Sequence, residues 1–176
     1  MEIKYPTYII AELTGETKHF VMQCRTKFNP ERLSWPVDIT LTGSSGIGVI
    51  KAGQSLEKVI TVLSPLLENN SLTAVPVHSL ESFPDTGIFY LKPRQTELVK
   101  LHNKIIQSDI IFEESDFPFT AHCTLCCREK ATKEIDKYFS SLDFPSTAEI
   151  NCFSIYQLHN GTATRLYQFK KVMKDG

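Results

Sequence analysis

Two short strands constrain this chain more than anything else in it. VDITLTG (37–43) alternates apolar Val37, Ile39 and Leu41 with polar Asp38, Thr40 and Thr42, the period of a half-buried strand. TAHCTLC (120–126) repeats the pattern almost half of the 176-residue chain later. In each, an ionisable residue (Asp38, His122) is followed two places on by Thr-Leu. The flanking segments also run in the same order. The first half reads as strand (7–13), helix (16–28), strand (37–43), helix (55–68) and strand (72–80). Ser55 is a plausible helix cap, Pro65 a kink or late break, and Pro76 the mark of an edge or bulge. The second half reads as strand (87–93), helix (95–106), strand (120–126), helix (131–142) and strand (149–158). His159-Asn160-Gly161-Thr162 then turns the chain into a last strand, TRLYQFKKV (164–172). The pattern predicts an α+β fold in one domain, 1–176, built from approximate repeats 1–83 and 84–176. The expected architecture is bilobal and pseudo-two-fold, with two antiparallel sheets flanked by helices around a central cleft.

Composition narrows the function classes. Apolar residues make up 41% and charged residues 22%, enough for a sizeable core. The net charge of −1, with no block of like charges, argues against binding duplex nucleic acid, yet leaves room for a site holding one phosphate. The N-terminal MEIKYPTYIIAEL fits neither a signal peptide nor a membrane span, so no membrane partner is expected. Five cysteines, odd in number and unevenly spaced, fit reduced thiols and a cytoplasmic setting. The GSSGIG loop lacks the G-x-x-x-x-G-K-[ST] pattern of a P-loop.

FPFTAHCTLCC (117–127) crowds one histidine and three cysteines together. Regular alternation points His122, Thr124 and Cys126 one way and Cys123, Leu125 and Cys127 the other. A zinc site needs convergent ligands, and no distant CxxC or HxxxH supplies a second pair, so no metal and no cofactor are expected. The cysteines read as small hydrophobes. His122 and Thr124 differ, because Asp38 and Thr40 match them in the other half.

These residues carry a family resemblance. FPDTGIFYLKPRQTELVKLHNKII and FEESDFPFTAHCTL resemble a run of strand, Leu-His-containing helix, acidic loop and F-x-P-H-x-T-L strand in the two-histidine (2H) phosphoesterase superfamily. That superfamily includes the bacterial 2′-5′ RNA ligase-like and cyclic phosphodiesterase proteins. WPVDITLTG resembles its first motif, P-H-x-T-L, with Asp38 where the family has histidine. The likeness spans nearly the whole chain. It implies a metal-independent phosphodiesterase acting on 2′,3′-cyclic or 2′-5′-linked nucleotide or RNA ends, with His122, Thr124, Thr40 and Asp38 as catalytic residues. Opening a cyclic phosphate needs a base for water and an acid for the leaving ribose oxygen, and a histidine does either near neutral pH. Threonine hydroxyls can hold the non-bridging oxygens.

Asp38 has three readings. An ordinary carboxylate there is a base but not an acid. It also repels a phosphodiester, by roughly 1–3 kcal/mol at ~5 Å. With a raised pKa it becomes a donor to phosphate. The alternative to an enzyme is therefore a catalytically impaired 2H-fold protein that binds a nucleotide or RNA end, and a third reading is an interaction module that keeps only the fold. Arg128, Tyr167, Arg165 and His78 are the substrate-binding candidates. Arg128 stands one place later than the family pattern and needs a bulge to re-aim it. Arg165 and Tyr167 share a face of a regular last strand, and His78 lies on the strand matching 149–158. His19, His102 and His159 read as helix-surface, helix-packing and turn residues. The expected partner is a nucleotide or RNA-end phosphate, bound by a monomer.

Overall fold

The structure, a computed structural model, describes residues 1–170; the end of the expected last strand, 171–172, lies outside the described residues. Its elements are β1 (Thr7–Thr14), α1 (Gly15–Phe28), a 3₁₀ turn (Pro30–Arg32), β2 (Asp38–Thr42), α2 (Leu56–Leu67), β3 (Ala74–Ser82), β4 (Gly87–Pro93), α3 (Thr96–Ile106), β5 (Cys123–Arg128), α4 (Lys133–Ser140), β6 (Thr147–His159) and β7 (Thr162–Phe169). Local chemistry accounts for most of these boundaries. Ser55 caps α2 by accepting from the Lys58 N–H, and Thr132 caps α4 by accepting from the Ile135 N–H. Leu56, Val59, Leu63 and Leu67 recur at helical spacing and are all buried, and Pro65 falls in the last turn of that helix. Asn160 (φ 49°) and Gly161 (φ 75°) both take the left-handed conformation that a two-residue hairpin turn requires.

All the strand pairings are antiparallel, and the ladders run β2-β1-β6-β3-β4-β5 with β7 also on β6. The alternation predicts two sheets; the ladders join them into one of seven strands. The joint is short: Ala74, Val75 and Pro76 pair with Glu149, Ala148 and Thr147. Beyond it β3 pairs with β4, while β6 pairs with β7 on that edge and with β1 along the other. Ile9, Ala11, Leu13, Ile39, Leu41 and Ile155 pack with apolar residues of the helices into the core.

The outermost strands of this sheet, β2 and β5, come into contact. The Cys123 thiol lies against the backbone N–H of Asp38. The C-terminus of α1 pins β5 in place. The Asn29 side-chain amide accepts from the Cys127 N–H (2.8 Å) and donates to the Cys127 carbonyl (3.2 Å). Arg25 of α1 is buried and donates to the carbonyls of Arg32, Trp35 and Pro36 at 3.2, 3.0 and 3.1 Å, fastening the loop that delivers Asp38. Replacing Arg25 by leucine removes its donors from three carbonyls, of which that of Arg32 keeps the Trp35 N–H, and should cost about 2–4 kcal/mol. Urea denaturation would read this as a lowered midpoint at an unchanged slope; a midpoint equal to wild type would show that the loop holds itself.

Candidate active site

Asp38 and Thr40 project from the same face of β2 into a hollow of about 340 Å³, lined also by Tyr8, Arg32, Trp35 and Tyr156. The Thr40 hydroxyl donates to the Asp38 carboxylate at 2.8 Å. Glu12 is the ladder partner of Asp38 on β1, and its carboxylate is gripped by Arg165 through Nη2 (2.6 Å) and Nε (3.0 Å). Burial pushes the Asp38 carboxyl up to about 6; the Thr40 hydrogen bond and the Arg25 and Arg32 charges oppose the rise, and Glu12 adds to it.

His122 and Thr124 line a second hollow of about 480 Å³, with Phe83, Ile88, Phe117 and Thr120. Both hollows fall in the size range of small-ligand sites, about 300–1,000 Å³. A larger one of about 600 Å³, beside Lys27, Arg128 and α4, contains neither motif. The alternation predicts a single cleft between Asp38 and His122; the structure gives two adjoining hollows that share Ser44 of the 43–48 loop.

His122 lies just before β5, in a segment held by side chains instead of a ladder. Gln95 brackets Ala121, donating to its carbonyl (2.9 Å) and accepting from its N–H (2.8 Å). Ser45 accepts from the Thr120 N–H at 3.1 Å. The Thr120 carbonyl in turn sits 2.7 Å from His122 Nδ1. A carbonyl can only accept, so Nδ1 carries the proton and Nε2 keeps its lone pair. The ring is wedged edge-on between Phe83 (5.3 Å) and Tyr90 (5.4 Å), and burial holds its pKa below the usual histidine value. Buried His102 ties the two motif strands together. Its Nδ1 donates to the Leu41 carbonyl of β2 (2.7 Å), and its ring stacks at 3.9 Å on Phe119, three residues before His122. Gly46 (φ 75°) closes over this stack, where a Cβ would meet the His102 ring and the Phe119 Cβ.

The remaining candidates are scattered by one-residue register shifts. On β5, Tyr90 pairs with Thr124 but Phe89 pairs with Cys126, leaving Leu125 as an extra residue. The shift reverses the alternation: Cys126 is buried, and Cys127 lines the hollow beside Thr124. Arg128 follows such an extra residue, yet it is not re-aimed at the motif: its Nη2 and Nε donate to the Phe28 carbonyl at the end of α1 (2.6 and 2.9 Å). On β7, Leu166 is extra, so Arg165 pairs with Tyr156 while Tyr167 pairs with buried Ile155 and packs on Phe169. These two residues therefore do not share a face. His78 is the extra residue on β3 and is exposed.

Glu12, Arg25, Arg32 and Trp35 surround Asp38 and escape pattern reading. Two of them leave a trace: Glu12 is the one charge in the apolar run TYIIAEL, and Arg25 shares a helix face with Val21, Cys24 and Phe28. Among the described residues no group of three or more His, Cys, Asp or Glu is placed to hold a metal ion. Burial pushes the thiols of Cys24 and Cys123 up to about 12 and that of Cys126 up to about 11, so they pack as neutral groups.

No protein-family model matches the chain, and no curated protein sequence matches it. Solved structures do. Escherichia coli LigT complexed with 3′-AMP is 18% identical, with a TM-score of 0.57 over 96% of this chain and 99% of that one. The NADP+ complex of LigT is 16% identical, with a TM-score of 0.58 over 97% and 99%. A phosphoesterase is 16% identical, with a TM-score of 0.53 over 95% and 99%. Over nearly all of its described residues, the chain has the fold of LigT, the fold that the resemblance of its motif strands implies.

Proposed function

We propose that this chain is a metal-independent phosphodiesterase acting on 2′,3′-cyclic or 2′-5′-linked nucleotide or RNA ends, with Asp38 working where relatives use a first histidine. The observation that carries the reading is the Asp38 carboxyl. It is pushed up to about 6 beside Thr40, in a hollow that meets the His122–Thr124 hollow at Ser44. A carboxyl with that pKa is about one-tenth protonated at pH 7, whereas an ordinary one is almost wholly ionised. His122, neutral and with Nε2 open, takes the proton from water. Protonated Asp38 gives its proton to the departing ribose oxygen, and Thr124 donates to a non-bridging oxygen. LigT with 3′-AMP, ATP or NADP+ bound supports a nucleotide as the ligand class.

The duplication of 1–83 and 84–176 into two lobes around a pseudo-two-fold axis belongs to the same proposal. The strand order β2-β1-β6-β3-β4-β5 supports it, since it reads the same from both ends once β1, β2 and β3 are matched to β4, β5 and β6. So does a monomer in the cytoplasm that binds no duplex, supported by free cysteines and a net charge near zero. No helix among the described residues is long and apolar enough to cross a membrane.

The pH dependence tests this assignment. Activity requires neutral His122 and protonated Asp38. It should rise with pH up to the lowered His122 pKa and fall about tenfold per pH unit above about 6. Asp38→His should move the falling limb toward higher pH. Hydrolysis of a 2′,3′-cyclic nucleotide that stays level from neutral to alkaline pH in the Asp38 protein would exclude Asp38 as the acid. One observation favours the binding-only reading: the Thr40 hydroxyl proton is engaged by the Asp38 carboxylate. Nucleotide binding with no turnover at any pH would establish that reading.

A further inference from the structure

A phosphate anion in this cleft needs a positive partner, and the groups that sequence offers do not supply one. Arg128 is engaged by the Phe28 carbonyl, and Arg165 is engaged by Glu12, Tyr156 and Gln168. His122 is held neutral by burial. Among the described residues lining the two hollows, one lysine or arginine remains: Arg32, in the Asp38 hollow.

Its setting is built. The Arg32 guanidinium lies over the Trp35 ring, 4.6 Å from the centroid. That ring is fixed by a hydrogen bond from its Nε1 to the Gly161 carbonyl in the β6–β7 turn (3.0 Å). The Arg32 backbone is held at both ends: its N–H donates to Asn29 (2.9 Å), and its carbonyl accepts from the Trp35 N–H (3.1 Å) and from buried Arg25 (3.2 Å). Neighbouring Glu31 is turned aside, accepting from the Asn29 amide at 2.7 Å. Among the described residues the Arg32 side chain forms no ion pair, so the donor edge of the guanidinium is open. Stacking covers one face of a guanidinium and leaves its in-plane fork of N–H donors, the geometry that matches two phosphate oxygens.

We propose that Arg32, stacked on Trp35, is the phosphate-binding residue of this cleft and holds an anionic phosphoryl group of the substrate beside Asp38 and Thr40. The inference rests on the phosphodiesterase reading for its substrate class, and it adds a recognition element that neither H-x-T-type motif contains. Asp38, when ionised, repels a bound phosphate; Arg32 offsets that charge from the same hollow.

The test is direct binding of inorganic phosphate and of 3′-AMP by titration calorimetry at pH 6, beside hydrolysis of a 2′,3′-cyclic nucleotide. Arg32→Gln should weaken phosphate and 3′-AMP binding about 10- to 100-fold. It should also raise KM more than it lowers kcat, and leave the affinity for adenosine, which has no phosphate, unchanged. Arg32→Lys, which keeps the charge without the fork, and Trp35→Leu, which removes the platform, should each give an intermediate loss. The backbone contacts of Arg32 survive the side-chain change, so the thermal midpoint of Arg32→Gln should match wild type. Phosphate affinity and KM that are unchanged in a folded Arg32→Gln protein would overturn this inference while leaving the phosphodiesterase reading standing. An Arg32-dependent phosphate site in a wild-type protein that hydrolyses nothing would do the reverse. A wild-type protein that binds neither phosphate nor 3′-AMP would overturn both.

Discussion

His122→Ala is expected to lower turnover of a 2′,3′-cyclic nucleotide by about 10²- to 10⁴-fold while leaving nucleotide affinity within a few-fold of wild type. The imidazole takes part in proton transfer and carries no charge when neutral, so its loss is felt in kcat and hardly in binding. The vacated space, walled by Phe83 and Tyr90, is open to the substrate hollow and has the shape of a flat ring. Added imidazole should therefore restore part of the lost rate, rising with the concentration of its neutral form. Turnover retained in His122→Ala would remove the general base from this scheme. A fall in affinity equal to the fall in rate would make His122 a binding residue instead.

Asp38→Asn should act on two observables in opposite directions. Turnover should fall by about 10²- to 10⁴-fold, because the amide has no proton to transfer. Stability at pH 8 should rise. The folded carboxyl titrates near 6 against a usual value of 3.8, so the folded state holds a proton across that window after the unfolded chain has lost it. Stability therefore declines as pH rises from about 4 to about 6, and above that the ionised carboxylate costs up to about 3 kcal/mol. The amide keeps the shape and can still accept from Thr40, but it has no charge to bury. The stability advantage of Asp38→Asn should be absent at pH 3.5, grow through pH 6 and level off beyond it. Urea midpoints measured across that range read the curve directly. A variant that is less stable than wild type at pH 8 would mean that the Asp38 charge is satisfied in the fold.

Every helix and strand of the described residues was legible in the sequence except the 3₁₀ turn at Pro30–Arg32, because binary periodicity is strong in this chain. The motif residues followed from the same signal: Asp38, Thr40, His122 and Thr124 each line a hollow. The losses came from register. Period-two reasoning carries a side chain's direction along a strand only while the ladder stays in step, and one extra residue reverses everything beyond it. Leu125 exchanged the roles of Cys126 and Cys127, and Leu166 separated Arg165 from Tyr167. No local pattern marks either position. The surroundings of Asp38 were hidden for another reason. Glu12 and Arg25 reach it from β1 and α1, a long-range placement that no window of the sequence contains, whereas Arg32 and Trp35 stand within six residues of it in a segment with no strand or helix periodicity.

The strand order has a consequence for how the chain is made. β1 and β2 come from the first half, yet β1 spends its other edge on β6, Thr147–His159, which follows only after β3, β4 and β5. β3, made early, waits for β4 and β5. As a ribosome releases the first half, α1 can pack on the β1–β2 pair, but the outer edge of β1 stays open and no strand of its own half closes it. Domains ordinarily fold as units as they emerge, whereas here the amino-terminal portion has no finished unit to form. Slow, late closure of the sheet, set by the distant β1–β6 and β3–β6 pairings, follows from the topology itself.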